Sequence, residues 1–254
     1  MIRHLVAAAL LSLSASTAFA QAPPPPPPAA PKGMTGAFQI TVDVGQRLTT
    51  PGFSDSFDVP LYTETEHVTT TYPDASGLFV GFGARYRIWK QLTVGVSAST
   101  FSHTGDATVT ASLPHPFFDN TPRNVEGTAS TKQEEVGIYP TVGWLVPLSP
   151  RVQLALAAGP AVMLVKQQFV TSVHYSETYP YDTAIFTSAD VDESSASAVG
   201  FYAGVDVSWM FSKHVGAGGL VQYARATVNH KVGDRSLSSD AGAAQVGGGL
   251  RLVF

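Results

Sequence analysis

The sequence predicts an all-β protein, an eight-stranded antiparallel up-and-down transmembrane β-barrel. Three observations lead to this fold class: segments in which apolar and polar residues alternate with a period of two, tight turns that alternate with long polar connections, and a mean hydropathy of +0.10 with only 13% charged residues. The chain has no cysteine and, beyond its N-terminal region, no apolar run long enough for a membrane-spanning helix. Disulfide frameworks and thiolate metal sites are therefore excluded.

The N-terminal region has the features of an export signal. A short basic start is followed by an apolar run, Leu5 to Leu13, which is too short to span a bilayer, and then by an A-x-A site that ends at Ala20. We predict a signal peptide over residues 1–20, cleaved after Ala20, and a proline-rich periplasmic leader over residues 21–35 in an extended conformation. Residues 36–254 would form the barrel, and its predicted location is the outer membrane.

Eight segments alternate in the way that barrel strands require. In most of them one face is apolar and would contact lipid, while the other is small or polar and would face the lumen. The seventh carries glycine and alanine on both faces, which leaves its orientation open. An extra hairpin in the first or second long connection would instead give ten strands. The segments cover residues 38–45, 78–88, 92–99, 136–146, 152–164, 199–209, 215–228 and 244–254.

Three short turns mark one end of the barrel as periplasmic. They lie at residues 90–91, 149–151 and 212–214, and outer-membrane barrels have short periplasmic turns and long external loops. A tryptophan lies close to each turn, as an aromatic belt at the level of the lipid headgroups predicts. These tryptophans are Trp89, Trp144 and Trp209.

The charged residues follow the same division. All but Asp43 and Asp206 of the 19 acidic residues, Glu135 included, fall in the long connections or at their edges, where we expect them to be solvated. The inward faces collect charges that an eight-stranded lumen must bury, and buried charges have to be paired. We predict a packed, charge-paired interior, with a narrow gated pore as the alternative. This interior network comprises Asp43, Arg47, Arg85, Arg87, Asp206 and Arg251.

The alternating strands, together with the apolar face of Leu250, Leu252 and Phe254, resemble the small OmpA-like, OmpX-like and opacity-type outer-membrane barrels of Gram-negative bacteria. The resemblance covers residues 36–254 in architecture. It implies that the C-terminal aromatic residue is recognised by the barrel-assembly machinery, and that the barrel lies among outer-membrane lipids and lipopolysaccharide. It implies no particular activity, and the proline-rich leader departs from the family.

The expected role is structural, in envelope integrity, or adhesive. The aromatic patches "HPFFD" and "HYSETYPYD" in the external connections would contact a surface protein ligand. A narrow channel for ions or small solutes is the runner-up, and a lipid A-active acyl hydrolase or acyltransferase is third. We predict that the chain is not an enzyme, because its connections contain no recognisable catalytic motif. The candidate acid–base residues are His103, His174 and His230, with Ser102, Ser172 and Ser176 nearby.

Two outward-facing cations are candidate lipopolysaccharide contacts. Lys166 and Arg225 lie about ten or more residues from their periplasmic turns, where a cation reaches phosphate groups instead of hydrocarbon. The histidines are scattered in the sequence, so we predict no metal site. We also predict no cofactor and no nucleic-acid partner, and we expect a monomer.

Overall fold

The computed structural model describes residues 36–254, so the predicted signal peptide and proline-rich leader lie outside the described residues. No helix that could cross a membrane is present in this part of the chain. Its strands are β1 (Phe38–Thr50), β2 (Phe53–Leu61), β3 (Glu64–Tyr72), β4 (Ala75–Trp89), β5 (Leu92–Leu113), β6 (Arg123–Pro147), β7 (Val152–Glu177), β8 (Ala184–Met210), β9 (Val215–Val232), β10 (Arg235–Ala241) and β11 (Ala244–Val253).

Eight of these strands close into a ring. Neighbouring strands pair in the order β1, β4, β5, β6, β7, β8, β9 and β11. The ring closes where β11 pairs with β1, from Gln39 opposite Val253 to Arg47 opposite Gln245. Each of these pairings is antiparallel. The predicted eight-stranded antiparallel barrel is confirmed, and closure leaves the ring without a sheet edge.

The other three strands continue ring strands on the side opposite the short turns. β2 follows β1 after a break at residues 51–52, β3 leads into β4 through residues 73–74, and β10 leads into β11 through residues 242–243. The β2–β3 hairpin is the extra hairpin that a ten-stranded barrel would need. It pairs internally and with the far end of β5, outside the ring. The ring therefore keeps eight strands.

The prediction of long polar connections is wrong. β5, β6, β7 and β8 contain 22, 25, 26 and 27 residues and run far beyond the segments that the sequence predicts. Residues 114–122 are the longest stretch without a strand between two described strands. Serine and threonine cover the outward face of these extensions, which made them resemble loops. Most of their inward positions are apolar, so the alternation that builds the ring continues past it.

Beyond the ring the strands pack as facing layers, which we call the cap. It consists of β2, β3 and β10 with the parts of β5 to β9 that lie past the last ring pairs, such as Gln133 opposite Gln167 and Phe201 opposite Arg225. A sheet of β2, β3, β5 and β6 faces the β7–β8 hairpin across an apolar core. The buried members of that core are Val68, Val109, Ala111, Leu113, Val125, Ala129 and Val170.

The β9–β10 hairpin joins the cap through side chains. It packs on the aromatic pair Tyr72 and Phe169, and Arg235 Nη1 lies 2.9 Å from Asp55 Oδ2 on β2. Asp55 and Glu66 are both buried, so the expectation that the acidic residues of the connections are solvated is wrong for these two. Burial raises the pKa of both carboxyl groups.

Candidate functional site

The outward face of the ring is a continuous apolar band. It extends over about ten residues of each strand, which corresponds to about 25 Å at a rise of about 3.3 Å and a tilt of about 40°. Because the ring strands pair on both sides, their backbone polar groups are satisfied within the sheet. The ring is a membrane-spanning β-barrel. Exposed residues of the band include Val42, Phe82, Val96, Ile138, Leu156, Val205, Val221 and Leu250.

An aromatic belt surrounds the turn end of the barrel. Trp89, Trp144 and Trp209 are exposed on its outward face beside the β4–β5, β6–β7 and β8–β9 turns. Phe254 lies beside Phe38, with ring centroids 6.5 Å apart. Amphipathic rings favour the headgroup level of a bilayer, so the belt fits the periplasmic boundary. Recognition of the C-terminal face by the barrel-assembly machinery stays a prediction.

A charge cluster crosses the lumen in the turn half of the ring. Arg251 is fully buried; its Nη1 donates to Asp43 Oδ1 at 2.7 Å, and its Nε donates to Asp206 Oδ2 at 2.9 Å. Ser208 Oγ donates to Asp206 Oδ1 at 2.6 Å, and Gln39 Nε2 donates to Ser208 Oγ at 3.4 Å. Charge-assisted hydrogen bonds of this kind are stronger than neutral ones. They tie β1, β8 and β11 together through the lumen.

The other two predicted interior arginines lie on β4. Arg85 Nη2 is 3.9 Å from Asp206 Oδ1, and Arg85 borders a lumenal cavity of about 50 Å³. Arg87 borders a second cavity of about 10 Å³ near the turns, together with Gln153. Cavities of this size hold at most a few water molecules. Side chains therefore fill most of the lumen beside Arg85 and beside Arg87.

Arg47 belongs to a second cluster, where the ring meets the cap. Its Nη2 donates to Glu135 Oε1 at 2.8 Å and to Thr50 Oγ1 at 2.8 Å, and its guanidinium covers the Phe101 ring at 4.0 Å. Glu135 is only 3% exposed, so its sequence-based assignment to the edge of an external connection is wrong. It lies on the inward face of β6, as Tyr139 does, and extending the alternation of that strand by two residues would have revealed it.

The same cluster fixes the break between β10 and β11. Gly242 has a φ of +84°, in the left-handed region that favours glycine, and its N–H donates to Glu135 Oε2 at 3.0 Å. A Cβ at this position would lie 2.3 Å from the carbonyl oxygen of Ala224. Gln133 Nε2 donates to Glu135 Oε1 at 2.7 Å. One carboxylate thus connects β1, β6 and the start of β11.

Aromatic and amide side chains fill the lumen between the two charge clusters. Tyr139 and Tyr202 stack with ring centroids 4.5 Å apart. The hydroxyl oxygens of Tyr139 and Ser99 are 2.8 Å apart, and Tyr202 OH donates to Gln222 Oε1 at 3.0 Å. The sequence left the faces of the seventh segment open, and the structure places Gln222 inward and Val221 outward. These residues extend the polar interior beyond the predicted set.

His230 is fully buried in the cap, and its ring lies 5.1 Å from that of Phe169. Burial lowers the pKa of its imidazole, so the folded state favours the neutral ring. The unfolded chain takes up a proton near a pH of about 6.5. Because the unfolded state then binds more protons, His230 makes stability fall as the pH drops below about 6.5. We expect His230→Leu to remove this part of the pH dependence, measured as urea midpoints at about pH 7.5 and about pH 5.

The control for this prediction is Thr69→Leu, which introduces a leucine at an exposed position of β3 and leaves every histidine in place, so the wild-type pH dependence should remain. A His230→Leu protein that loses as much stability at acid pH as the wild type would contradict the assignment.

Lys166 and Arg225 face outward at the upper edge of the apolar band. Each already has an acidic neighbour: Lys166 Nζ lies 3.6 Å from Glu193 Oε1, and Arg225 Nη2 lies 2.6 Å from Asp240 Oδ2. About half of each basic side chain is exposed, so both charges are accessible from outside. A lipopolysaccharide phosphate would compete with these carboxylates. Contact with lipopolysaccharide stays a prediction.

Two of the candidate acid–base residues, Ser172 and His174, share one aspartate. Ser172 Oγ donates to Asp190 Oδ2 at 2.7 Å, and His174 Nε2 lies 2.9 Å from the same oxygen. The carboxylate therefore engages both groups, whereas an activated serine needs the histidine itself as its base. His103 stacks beside Phe101, with centroids 6.3 Å apart. Residues 36–254 contain no group of three or more histidine, cysteine, aspartate or glutamate side chains placed to hold a metal.

The far end of the cap carries an exposed aromatic patch, which we call the tip. It is formed by the turn at residues 62–63 and by the loops at residues 114–122 and 178–183. The first loop contains the patch "HPFFD", and the second contains "TYPYD", the end of the patch "HYSETYPYD", whose first four residues belong to β7. The structure brings these two loops together. The exposed rings of the tip are Tyr62, Phe117, Phe118 and Tyr179, with exposed fractions of 53%, 67%, 60% and 79%.

The two loops of the tip touch through their rings. Tyr181 lies between the others, with its centroid 5.6 Å from that of Phe117 and 6.0 Å from that of Tyr179. His115 lies below Phe118, with centroids 4.8 Å apart. The exposed rings of these two loops are therefore neighbours on one surface. Contiguous exposed apolar groups rimmed by polar residues are typical of interaction sites.

A buried arginine holds the tip in place. Arg123 Nη1 donates to the carbonyl oxygen of Tyr181 at 3.0 Å, and its Nη2 donates to that of Pro114 at 2.7 Å. Arg123 also forms an ion pair with Glu177, whose Oε1 accepts a hydrogen bond from Tyr62 OH at 3.2 Å. One guanidinium thus links all three segments of the tip. The sequence gives no signal for this convergence.

No protein-family model and no curated protein matches the chain. Similar solved structures include the outer membrane protein OprG from Pseudomonas aeruginosa, at 11% identity over 87% of this chain and 97% of that chain, with a TM-score of 0.48. Neisserial surface protein A matches at 13% identity over 88% and 100%, with a TM-score of 0.46. The outer membrane protease OmpT from Escherichia coli matches at 9% identity over 87% and 98%, with a TM-score of 0.42. Likeness at this level carries no argument about function.

Proposed function

We propose that this outer-membrane β-barrel is a surface adhesion protein that binds a protein ligand through the tip, while the ring contributes to the integrity of the envelope. The observation that carries the proposal is the tip itself. It presents four exposed aromatic rings at the end of the cap, away from the apolar band. Soluble surfaces rarely leave such rings together without a partner.

The chemistry of the tip suits protein recognition. Tyrosine and phenylalanine offer large contact areas and lose little conformational entropy on binding, because each has only two side-chain torsions. Arg123 already fixes the loops that carry Phe117 and Tyr179. Binding would therefore cost little additional ordering of the backbone, and more of the contact energy would appear as affinity.

The interior supports this role over the runner-up channel. Charged clusters around Arg251 and Arg47 cross the lumen at two levels, and stacked tyrosines lie between them. The lumenal cavities beside Arg85 and Arg87 are about 50 and 10 Å³. The cap adds an apolar core beyond the ring. An eight-stranded barrel of this kind is filled by its own side chains.

The proposal is tested by adhesion. Cells that display the full chain are applied to immobilised proteins whose isoelectric points range from acidic to basic. We expect the wild type to be retained on at least one member of the panel. Replacing Phe117, Phe118 and Tyr179 together by alanine should reduce that retention at least about tenfold, because hot-spot aromatics carry about 2 kcal/mol or more of binding energy.

The matched control replaces three exposed threonines on the side of the cap by alanine: Thr69, Thr108 and Thr110. This variant should adhere like the wild type, and heat-modifiable migration should show that all the barrels are folded. Equal retention of the aromatic variant and the wild type would refute adhesion through the tip.

A further inference from the structure

We propose that the ligand of the tip is a cationic protein segment, recognised through arginine side chains. This inference rests on the proposed function and adds the chemistry of its ligand. It draws on the charge of the tip, on the order of residues in its loops, and on two places inside the protein where the same groups already hold an arginine.

The tip is acidic at its surface. Arg123, the basic residue of β6 that holds the tip, is buried and paired with Glu177, so it adds no positive charge outside. Asp119 and Asp182 are exposed in the two loops, and the closest cation-forming group to Asp182 is the buried His115, at 3.7 Å. A partner with positive charge would therefore be attracted, and one with negative charge would be repelled.

The carboxylates lie directly beside the rings. Asp119 follows Phe118 in one loop, and Asp182 follows Tyr181 in the other. The contact between Phe117 and Tyr181 holds these loops against each other. A guanidinium that enters this surface can stack on an aromatic face and pair with a carboxylate at the same time. Arginine suits both contacts because it is planar and presents donors along its edges.

The cap already contains an arginine bound in this way. The Arg235 guanidinium covers the Phe57 ring at 3.9 Å, and its Nη1 lies 2.9 Å from Asp55 Oδ2. The three groups come from two hairpins that share no backbone pairing. A stacked and paired arginine is therefore a contact that joins separate segments in this protein.

The Arg47 cluster, where the ring meets the cap, contains a second arginine bound in this way. Arg47 covers the Phe101 ring at 4.0 Å and donates to Glu135 Oε1 at 2.8 Å. At the tip the rings and the carboxylates are present on the surface, and the described loops supply no exposed arginine to complete the set. The geometry points to a partner that supplies it.

Binding of short peptides to the full-length barrel in lipid vesicles tests the inference. The probes are hexa-arginine, hexa-lysine and hexa-glutamate peptides, with dextran as a neutral polysaccharide. We expect hexa-arginine to bind more tightly than hexa-lysine, because a compact ammonium cannot stack and pair in a plane. Hexa-glutamate and dextran should not bind. Raising the salt concentration should weaken the arginine complex.

Variants localise the effect. Replacing Asp119 and Asp182 together by asparagine should weaken hexa-arginine binding at least tenfold, and Tyr179→Ala should reduce the preference for arginine over lysine. Asp106→Asn removes another exposed carboxylate from the side of the cap and should change nothing. These substitutions lie at exposed positions, so the barrel should stay folded.

The outcomes separate this inference from the proposed function. Dextran binding, equal binding of the arginine and lysine peptides, or insensitivity to the Asp119 and Asp182 changes would overturn arginine recognition. If adhesion in the protein panel is still lost with the aromatic variant, the adhesive function stands without it. If the aromatic variant adheres like the wild type and hexa-arginine is not preferred, both proposals are refuted.

Discussion

Replacing Arg251 by methionine should destabilise the barrel by about 3–5 kcal/mol. The substitution removes the cation that donates hydrogen bonds to both Asp43 and Asp206, and these buried carboxylates keep only Arg85, 3.9 Å from Asp206, as a counter-charge. Removing one member of a buried ion cluster typically costs this much. Urea unfolding in lipid vesicles, followed by tryptophan fluorescence, measures the change. The belt tryptophans report the transfer of the band out of lipid.

Two further variants show whether the loss comes from unpaired charge. Adding Asp43→Asn to the Arg251→Met protein should restore part of the stability, because Asp206 then keeps Arg85, 3.9 Å away, as its counter-charge and no second carboxylate is left unpaired. Arg151→Met, in the exposed β6–β7 turn, should lie within about 0.5 kcal/mol of the wild type. If Arg251→Met unfolds at the wild-type urea concentration, the cluster contributes nothing to stability.

Replacing Glu135 by glutamine should cost about 3 kcal/mol or more. Arg47 is only 1% exposed, and its charge would lose the carboxylate that faces it. Glutamine keeps the size of the side chain and can still accept the Gly242 N–H, so the experiment isolates the charge. The same urea titration in vesicles measures the effect, and a broadened transition would indicate that ring and cap no longer unfold together.

The neighbouring Glu134 supplies a matched control on the outward face of the same strand. Glu134→Gln removes an exposed pair with Lys132 and should leave the urea midpoint close to that of the wild type. Combining Glu135→Gln with Arg47→Met should recover most of the stability that Glu135→Gln loses. Equal effects of the two single substitutions would show that the inward position has no special energetic role.

Alternation was sufficient to predict the ring because every ring strand meets lipid on one side and the lumen on the other. Asp43, Asp206 and Arg251 could be assigned to the lumen from their position in the alternation alone, since successive residues of a strand point to one of only two faces. The position of a residue in the alternation does not predict which side chain it will contact, however. That Arg251 contacts both aspartates, and that Arg47 lies one level higher with Glu135, depends on the stagger between strands around the ring.

The sequence did not predict the strands of the cap, for a different reason. Its outward faces meet water, so serine, threonine and acidic residues there have the composition of loops, although strands such as β5 and β8 continue through them. Buried acidic residues such as Asp55 depend on a partner from a distant hairpin, here Arg235. The tip likewise depends on Arg123 joining segments far apart in sequence.

The interruptions of strand structure at residues 51–52, 73–74 and 242–243 mark the level at which the lipid-facing ring meets the water-exposed cap, while β5 to β9 continue through it. The ring satisfies its own charges below this level, and the cap has an apolar core of its own above it. Selection can therefore act on the two parts separately. Substitutions in residues 114–122 or 178–183 can change what the protein binds, while the requirements for insertion and folding in the membrane stay with the ring.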